Sequence, residues 1–288
     1  MTRPAVADAY LRALAANDAS LLPTTGSARF TENGQLLELG TGLWATATAV
    51  PEHDYASVED RESAQVAWFG PVEENGRPAV LFARLSSDQG RVAELETIVR
   101  REHPRLFSPQ SMGEPRAIVF EELDPSERLA RSELPAVANA YFDALEQVDG
   151  GLFEATDDCI RVENGEQTVL VEDVSHLAGL PSALIFPLGV REQISSGYYG
   201  YMDAVRDRRV VAVDEARGLV VLVVVFDHPA RKRTVQVKGI GEVEVARYHQ
   251  APNSVLIAEL FKIRGGRIAH IEAVLEFVPY GSRTGWEE

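Results

Sequence analysis

The chain has 288 residues, which is enough for two domains of ordinary size or one large domain. With 45% apolar and 25% charged residues it has the composition of a globular protein, which excludes a disordered or fibrous one. Its formal net charge of −16, from 28 basic and 44 acidic residues, would repel phosphate, so we expect no nucleic-acid partner.

Cysteine content and hydropathy further limit the kinds of site and the cellular location that the chain can have. The single cysteine, Cys159, excludes an internal disulfide and a multi-cysteine metal site, and no two histidines stand at ligand spacing, so we expect no metal. The longest apolar run, residues 219–226, is too short to cross a bilayer and reads as a strand buried on both faces. The start of the chain lacks a signal-peptide core. We therefore expect a cytoplasmic protein without membrane contact.

The first predicted element is a helix that occurs twice. Residues 5–14 and 136–145 align at an offset of 131, with seven identical pairs in ten positions. In both segments the apolar residues recur at i, i+3, i+4, i+7 and i+8, the pattern of a helix that lies on a core. Each copy is therefore predicted to begin with a helix.

A short phrase follows each helix at the same offset. RFTENGQ at 29–35 returns as RVENGEQ at 161–167, which we interpret as a strand ending in an Asn-Gly turn. Arg161 and Glu163 share one face of this strand and could orient a substrate hydroxyl. Because both copies contain the phrase, a structural turn is the favoured role for Asn164.

The two copies also end alike. Residues 80–85 and 90–96 match 255–260 and 266–272, and both pairs predict a β-hairpin with a glycine turn. The offset has grown to about 176, so the second copy has gained about 45 residues in its middle. Between the copies, 104–133 contains four prolines and reads as a linker. The prediction is a domain over 1–103, that linker, and a second domain over 134–288.

This order of elements resembles the SnoaL-like branch of the nuclear transport factor 2-like superfamily. The resemblance is carried by the YLRAL and YFDAL helices, the strand that ends in ENG, and the hairpin LFKIRGGRIAHIEAVL. It implies an α+β fold of two tandem cones, each a curved antiparallel sheet wrapped with N-terminal helices around one pocket. It also implies that the cones dock sheet to sheet, as homodimers of single-domain members do, and leaves a further homo-oligomer open.

The second copy resembles a narrower group with two domains. Here the residues are RVENGEQ, the stretch GYYGYMDAVRDRRVVAVDEARGLVVLVVVFDHP and the tail VPYGSRTGW. This group is similar to bacterial cofactor-free lyases of lignin-dimer catabolism, which release formaldehyde from a 1,2-diarylpropane-1,3-diol and leave a stilbene. The resemblance implies a small aromatic substrate and no cofactor.

The residues themselves also favour chemistry without a cofactor. Dinucleotide, P-loop, HExxH and GxSxG motifs are missing, so acids and bases in an apolar pocket would have to do the work. Asp227 and His228 close the valine-rich strand and are the candidate bases, although alternation sends only one of them into a given pocket. A strand-ending turn is the equally weighted alternative.

Aromatic and basic residues supply the remaining candidates. If 196–205 is helical, then Tyr198, Tyr199 or Tyr201 could stack on an aromatic substrate, with Arg206 at the mouth of the cone stabilising a phenolate or alkoxide. In the last strand His270 and Glu272 share a face that lines either a polar pocket or, as favoured for the histidine, solvent or the other domain.

Two functions remain open from the sequence. The first is a cofactor-independent lyase, with His228, Asp227, Arg206 and Arg161 as catalytic residues. Its substrate-binding residues would be Tyr198, Tyr199, Tyr201, Glu163, Asn164 and Glu272. Dehydration, isomerisation or cyclisation would use the same groups. The second is a non-catalytic ligand-binding or assembly module, and the shorter first copy is the more scaffold-like half.

Overall fold

A computed structural model describes residues 3–286 of the chain. Both predicted helices are present, and each packs an apolar stripe against a sheet. Four shorter helices lie between strands. The α-helices of the described residues are α1 Ala5–Ala15, α2 Leu43–Thr46, α3 Ala117–Phe120, α4 Leu134–Gln147, α5 Ser182–Ile185 and α6 Val190–Ser195. No helix in residues 3–286 has the length and apolar character that a membrane span requires.

The first half of the chain forms a seven-stranded sheet with the order β2-β1-β7-β6-β5-β3, and β4 also pairs with β5. Its strands are β1 Thr24–Glu32, β2 Gln35–Leu37, β3 Ala47–Ala49, β4 Ala56–Asp60, β5 Gln65–Glu74, β6 Arg77–Asp88 and β7 Arg91–Arg101. β6 and β7 are the predicted hairpin.

The second half repeats this topology in a six-stranded sheet with the order β10-β11-β14-β15-β8-β9. Its strands are β8 Ala155–Glu163, β9 Glu166–Gln167, β10 Ala204–Asp214, β11 Leu219–His228, β14 Asn253–Arg264 and β15 Arg267–Pro279, with a separate hairpin of β12 Thr234–Val237 and β13 Gly241–Glu244. In both sheets the first long strand pairs in parallel with the last, and the other pairs are antiparallel. The predicted α+β class with curved sheets is confirmed, although each sheet is mixed.

The strand register corrects the sequence alignment of the last hairpin by one residue. Ala83 lies opposite Thr97 in the first sheet, and Glu259 lies opposite Ala273 in the second. Thr97 and Ala273 are themselves equivalent, because they pair with the two matching residues Glu32 and Glu163. The counterpart of Glu259 is therefore Ala83 and not Arg84.

The two sheets pack against each other through their outer faces. Their interface is an apolar cluster that draws on both sheets and on the segment between them, with Phe69, Phe82, Met112, Val221 and Leu260 among its buried members. The inner face of each sheet holds a separate core against α1 or α4. This is the sheet-to-sheet docking that the family resemblance implied.

The extra residues of the second half lie in two separate segments. The connection from β9 to β10 comprises residues 168–203, whereas the equivalent connection from β2 to β4 comprises only 38–55. The connection from β11 to β14 comprises residues 229–252, whereas the equivalent connection from β5 to β6 comprises only 75–76. The two segments share a small apolar cluster that includes Ile185, Tyr198, Val235 and Val243. We call residues 168–203 and 229–252 the cap, because together they cover the inner face of the second sheet.

The two Asn-Gly turns have matching structural roles. Asn33 and Asn164 both take positive φ, and their side-chain amides bond the backbone of the last strand at Val99 and at Leu275. The following glycines, Gly34 and Gly165, sit against chain that follows the last strand of the other half. Arg283 covers Gly34, and Ser108 covers Gly165. Each Asn-Gly turn therefore packs against the segment that follows the last strand of the other half.

Candidate functional site

The inner face of the second sheet, α4 and the cap enclose a cavity. The cavity has a volume of about 90 Å³, and most of its wall is apolar. One water needs roughly 10–15 Å³ of cavity, so there is room for a small organic molecule. Leu106, from the segment after the first sheet, closes one side.

A buried arginine lines the cavity. Arg161 on β8 is 2% exposed, and its guanidinium donates hydrogen bonds in several directions. The acceptors are Thr168 Oγ1 at 3.1 Å, Tyr141 OH at 3.2 Å, Gln193 Oε1 at 2.9 Å and Tyr199 OH at 2.8 Å. Helix α4, the cap and the sheet thus hold one cation in a fixed orientation.

Two carboxyl groups accompany this arginine. Glu163, two residues further along β8, forms an ion pair with Arg161 at 3.4 Å between Oε1 and Nε. Glu259 on β14 is 3% exposed, and its Oε2 has no hydrogen-bond partner among the described residues. Both side chains line the cavity, because period two turns their positions to the inner face of the sheet.

The environment of Glu259 favours its uncharged form. Burial, with a smaller contribution from the negative charge of Glu163, raises the pKa of this carboxyl to about 8 against the opposing influence of Arg161. A carboxylic acid that keeps its proton near neutral pH can donate it to a bound molecule. Glu163, in contrast, forms an ion pair with Arg161.

Aromatic rings form another part of the cavity wall. The rings of His228 on β11 and His249 in the cap stack with centroids 3.9 Å apart and planes at 19°. Tyr201 lies 5.6 Å from the first ring and 5.0 Å from the second. Burial lowers the pKa of His228 to about 4 and also lowers that of His249, so both imidazoles are neutral at pH 7.

Comparison with known proteins places this cavity in a family. The model of the family DUF8021, described as a domain of unknown function, matches residues 127–275. That is just over half of the chain, and it contains Arg161, Glu163, His228, His249 and Glu259. The chain belongs to the DUF8021 family. The cap, the polar groups of the cavity and all of the second sheet except the end of β15 fall within the DUF8021 region.

Other comparisons give no activity for this DUF8021 protein. No curated protein matches the chain. It is similar to the solved structure of an LEH-like epoxide hydrolase from M. tuberculosis, at 14% identity and a TM-score of 0.26, covering 51% of this chain and 84% of that one. It is also similar to the BvnE pinacolase from Penicillium brevicompactum, at 11% identity and a TM-score of 0.28, covering 55% of this chain and 89% of that one.

Six of the residues predicted from the sequence line the DUF8021 cavity. They are Arg161, Glu163, Tyr198, Tyr199, Tyr201 and His228. The expectation of a helix over 196–205 was wrong in detail, since Tyr198–Tyr201 is a short 3-10 helix and β10 begins at Ala204. The tyrosines still face inward because the 3-10 turn packs on β12 and the cap core.

Asp227 and Arg206 lie outside the cavity, which corrects their prediction as catalytic residues. Arg206 lies on β10 and binds Asp227 through Nε at 2.7 Å and NH2 at 3.1 Å. The same terminal nitrogen, Nη2, also donates to the carbonyl oxygen of Ser282 at 2.6 Å. Asp227 faces away from the cavity because successive residues of β11 alternate between the two faces of the sheet, and His228 faces inward. The contacts of Arg206 therefore connect β10 to β11 and to the segment that follows β15.

Asn164 and Glu272 also lie away from the cavity. The side-chain amide of Asn164 donates hydrogen bonds to the backbone carbonyl oxygens of Leu106 and Leu275. Glu272 lies on the outer face of β15, between the sheets, where its carboxylate accepts from Tyr55 OH at 2.9 Å and pairs with Arg116 at 3.2 Å. His270 is fully buried beside it, at 3.1 Å, which agrees with the interface position favoured from the sequence.

The sequence reasoning missed Glu259 and His249. Glu259 carried a readable signal, since it is a lone charge among the apolar residues 255–261, whose alternate members Val255, Ile257 and Phe261 face the core. His249 carried no such signal, because its position beside His228 depends on how the cap packs against β11. No group of three potential metal ligands occurs within residues 3–286, and burial raises the pKa of Cys159 to about 12.

Proposed function

We propose that the second domain is a cofactor-independent enzyme that carries out acid–base chemistry on a small, mainly apolar, aromatic molecule. The observation that carries this proposal is the pair of Glu259, uncharged near neutral pH, and the buried Arg161 in one apolar cavity. Two carboxyl groups in different environments beside one cation form an arrangement suited to acid and base roles.

Each polar group has a distinct role in this proposal. Glu259 is the general acid, because its protonated carboxyl lines the cavity. Glu163 is the general base. Arg161 stabilises negative charge that develops on the substrate, and because four neighbouring side chains already orient it, little reorganisation is needed during the reaction.

The narrower form of the proposal is a formaldehyde-releasing lyase on a 1,2-diarylpropane-1,3-diol. Glu259 gives a proton to the benzylic hydroxyl, which leaves as water. Glu163 takes the proton of the primary alcohol, the bond from its carbon to the neighbouring carbon breaks, and formaldehyde departs. The electrons of that bond form the double bond of the stilbene, so the products are stilbene, water and formaldehyde. Support for this substrate comes from the sequence resemblance alone.

Turnover of erythro-1,2-diguaiacylpropane-1,3-diol tests the narrower form, with formaldehyde and stilbene absorbance as readouts. We expect Glu259→Gln to lower the rate at least about 100-fold, because a general acid contributes that much or more. The matched control is Glu172→Gln, at an exposed position of the cap. Absence of products from the wild type would overturn the lyase, and equal rates in both variants would overturn the role of Glu259.

The second candidate is a non-catalytic ligand-binding module, which the enclosed apolar cavity also favours. A panel of benzylic alcohols, epoxides and enones would separate the two functions. Dehydration, isomerisation or cyclisation of any member that depends on Glu259 supports an enzyme. Tight binding of members without any turnover supports the module.

A further inference from the structure

One residue in the wall of the cavity comes from outside the second domain. Leu106 lies in the segment that follows the first sheet, whereas every other described residue that lines the cavity lies within 141–277. It also lies outside residues 127–275, the region that matches the DUF8021 family. The polar groups of the cavity thus all come from the second domain, and Leu106 adds to the apolar wall from the segment between the two sheets.

The register of the second sheet shows where the acid–base groups end and the apolar wall begins. Ala273 on β15 pairs with Glu163 on one side and with Glu259 on the other, so these residues form one row across the inner face. The next inward residue of β15 is Leu275, about 7 Å further along the strand. β8 ends at Glu163, opposite Ala273, and so leaves the side of Leu275 to another part of the chain. That part is the segment of Leu106.

The Asn-Gly turn after β8 holds Leu106 beside Leu275. The side-chain amide of Asn164 donates to the carbonyl oxygens of both leucines, at 3.1 Å in each case. In the next residue of the segment, the backbone N–H of Phe107 donates to Oε2 of Glu166 at 3.3 Å. The backbone on both sides of the Leu106 Cα is therefore bonded to the second domain, which fixes where the side chain enters the cavity.

Leu106 has a backbone conformation that a leucine rarely takes. Its φ of +48° lies in the left-handed region, which glycine occupies far more readily. Such a conformation is unfavourable and persists where the surrounding structure imposes it, often at ligand sites. Here it accompanies a side chain that lines the cavity and also packs against the apolar cluster of the cap.

We propose that Leu106 is a specificity-determining residue, whose side chain limits how far an aryl group can extend beyond the row of Glu163 and Glu259. As a statement about substrate choice this rests on the proposed function. A substrate oxygen held at that row leaves the rest of the molecule against the apolar wall, where one methylene group changes the discrimination between ligands about 10- to 200-fold. Leu106→Ala therefore makes room for a longer molecule, and Leu106→Trp leaves room only for a shorter one.

Calorimetry with two benzylic alcohols of different length tests this role without any need for turnover. The probes are benzyl alcohol, with one ring, and 4-phenylbenzyl alcohol, with two, and the quantity compared is the ratio of their affinities for the full-length protein. We expect Leu106→Ala to shift this ratio towards the two-ring alcohol at least about tenfold, and Leu106→Trp to shift it towards the one-ring alcohol. Leu106→Gly also removes the side chain and suits the positive φ, so it should act in the same direction as alanine.

Leu180→Ala is the matched control. Leu180 is partly buried and packs against the same apolar cluster of the cap, but it does not line the cavity, so this variant should keep the wild-type ratio. If Leu106→Ala changes the affinity for both probes equally, or binds the two-ring alcohol no better than the wild type does, Leu106 is only a packing residue and the proposal fails. An equal shift of the ratio in Leu180→Ala would assign selectivity to the packing of the cap in general and would also overturn the proposal.

The result can be read separately from the proposed reaction. Glu259→Gln should lose turnover but keep the wild-type ratio of affinities, because both probes carry the same hydroxymethyl group. A shifted ratio in the Leu106 variants of a protein that turns over no substrate would overturn the proposed function and leave Leu106 as the residue that selects ligands by length. Turnover that depends on Glu259, with the same ratio in the wild type and in Leu106→Ala, would overturn the role of Leu106 and leave the reaction standing.

Discussion

Arg161 on β8 occupies the position that Phe30 occupies on β1. Arg161 lies opposite Ile271 in the parallel pair with the last strand, and Phe30 lies opposite Leu95, the residue equivalent to Ile271. Phe30 packs against Trp44 with ring centroids 6.2 Å apart, so the first half fills with aromatic rings the place where the second half has a cation. The same position in the fold therefore carries a core aromatic ring in one copy and a cation that lines the cavity in the other.

Arg161→Lys should lower activity by about 100-fold, because lysine cannot present several donors in one plane. Tyr141, Tyr199 and Gln193 would each lose a buried hydrogen bond, and we expect the free energy of unfolding to fall by about 1–3 kcal/mol. Chemical denaturation and turnover measure the two effects. Wild-type activity in the lysine variant would contradict the role of the guanidinium.

Activity should fall as pH rises through about 8. The raised pKa of Glu259 means that its acid form is present below pH 8 and is lost above it. The profile of kcat/KM against pH measures this, with a tenfold fall per pH unit on the alkaline limb. Glu259→Gln should abolish that limb. A limb that persists in the glutamine variant would assign it to another group.

Stability should also depend on the proton of Glu259. The pKa is about 8 in the folded protein and near its ordinary value of 4.5 in the unfolded chain, so between these values the folded state holds the extra proton. The free energy of unfolding therefore falls as pH rises from about 4.5 to 8 and is level above that range. Glu259→Gln should remove this contribution, on the order of 2 kcal/mol or more at pH 8. Denaturation at pH 5.5 and pH 8.5 measures it, and an equal difference between variant and wild type at both values would contradict it.

Two glycine substitutions form a matched pair across the two halves. Gly34 and Gly165 have φ values of +77° and +83°, and an added Cβ would meet the carbonyl oxygen of Arg283 in one case and that of Ser108 in the other. Each alanine variant should lose about 1–3 kcal/mol of stability. Only Gly165→Ala displaces the segment that carries Leu106, so only this variant should weaken ligand binding. Thermal denaturation and probe affinity distinguish them, and equal loss of affinity in both would refute the role of that segment.

Asp227→Asn should leave catalysis nearly unchanged. Burial acts to raise the pKa of Asp227, but hydrogen bonds from Arg206 and Ser254 outweigh it and hold the pKa below its ordinary value. The carboxylate therefore contributes stability above that ordinary value, which is lost as pH falls through the lowered pKa. We expect a lower melting temperature near pH 7, because Asp227 is buried and Arg206 loses its charged partner. We expect kcat/KM to stay within about threefold of wild type, because Asp227 does not line the cavity. A loss of activity beyond that, in a folded variant, would restore Asp227 to the reaction.

Local patterns in the sequence predicted many of the helices, turns and strands. The apolar stripes of 5–14 and 136–145, the Asn-Gly turns and the two glycine-containing hairpins are all where their periodicity predicted them. Period 3.6 and period two depend only on neighbouring residues, so they are visible in a single chain. Arg161 and Glu163 could be assigned to one face of a strand for the same reason.

The tertiary structure decided which faces of the strands and helices pack against each other. A shift of one residue in strand register moves a side chain to the other face, so the bulges in the hairpins determine that Glu259, and not its neighbour, points into the cavity. The pairing of His249 with His228 and the entry of Leu106 depend on contacts between distant segments. The sequence by itself thus determined the repeated elements and their periodic faces. Only long-range packing could decide which copy holds a cavity and which acids, bases and rings surround it.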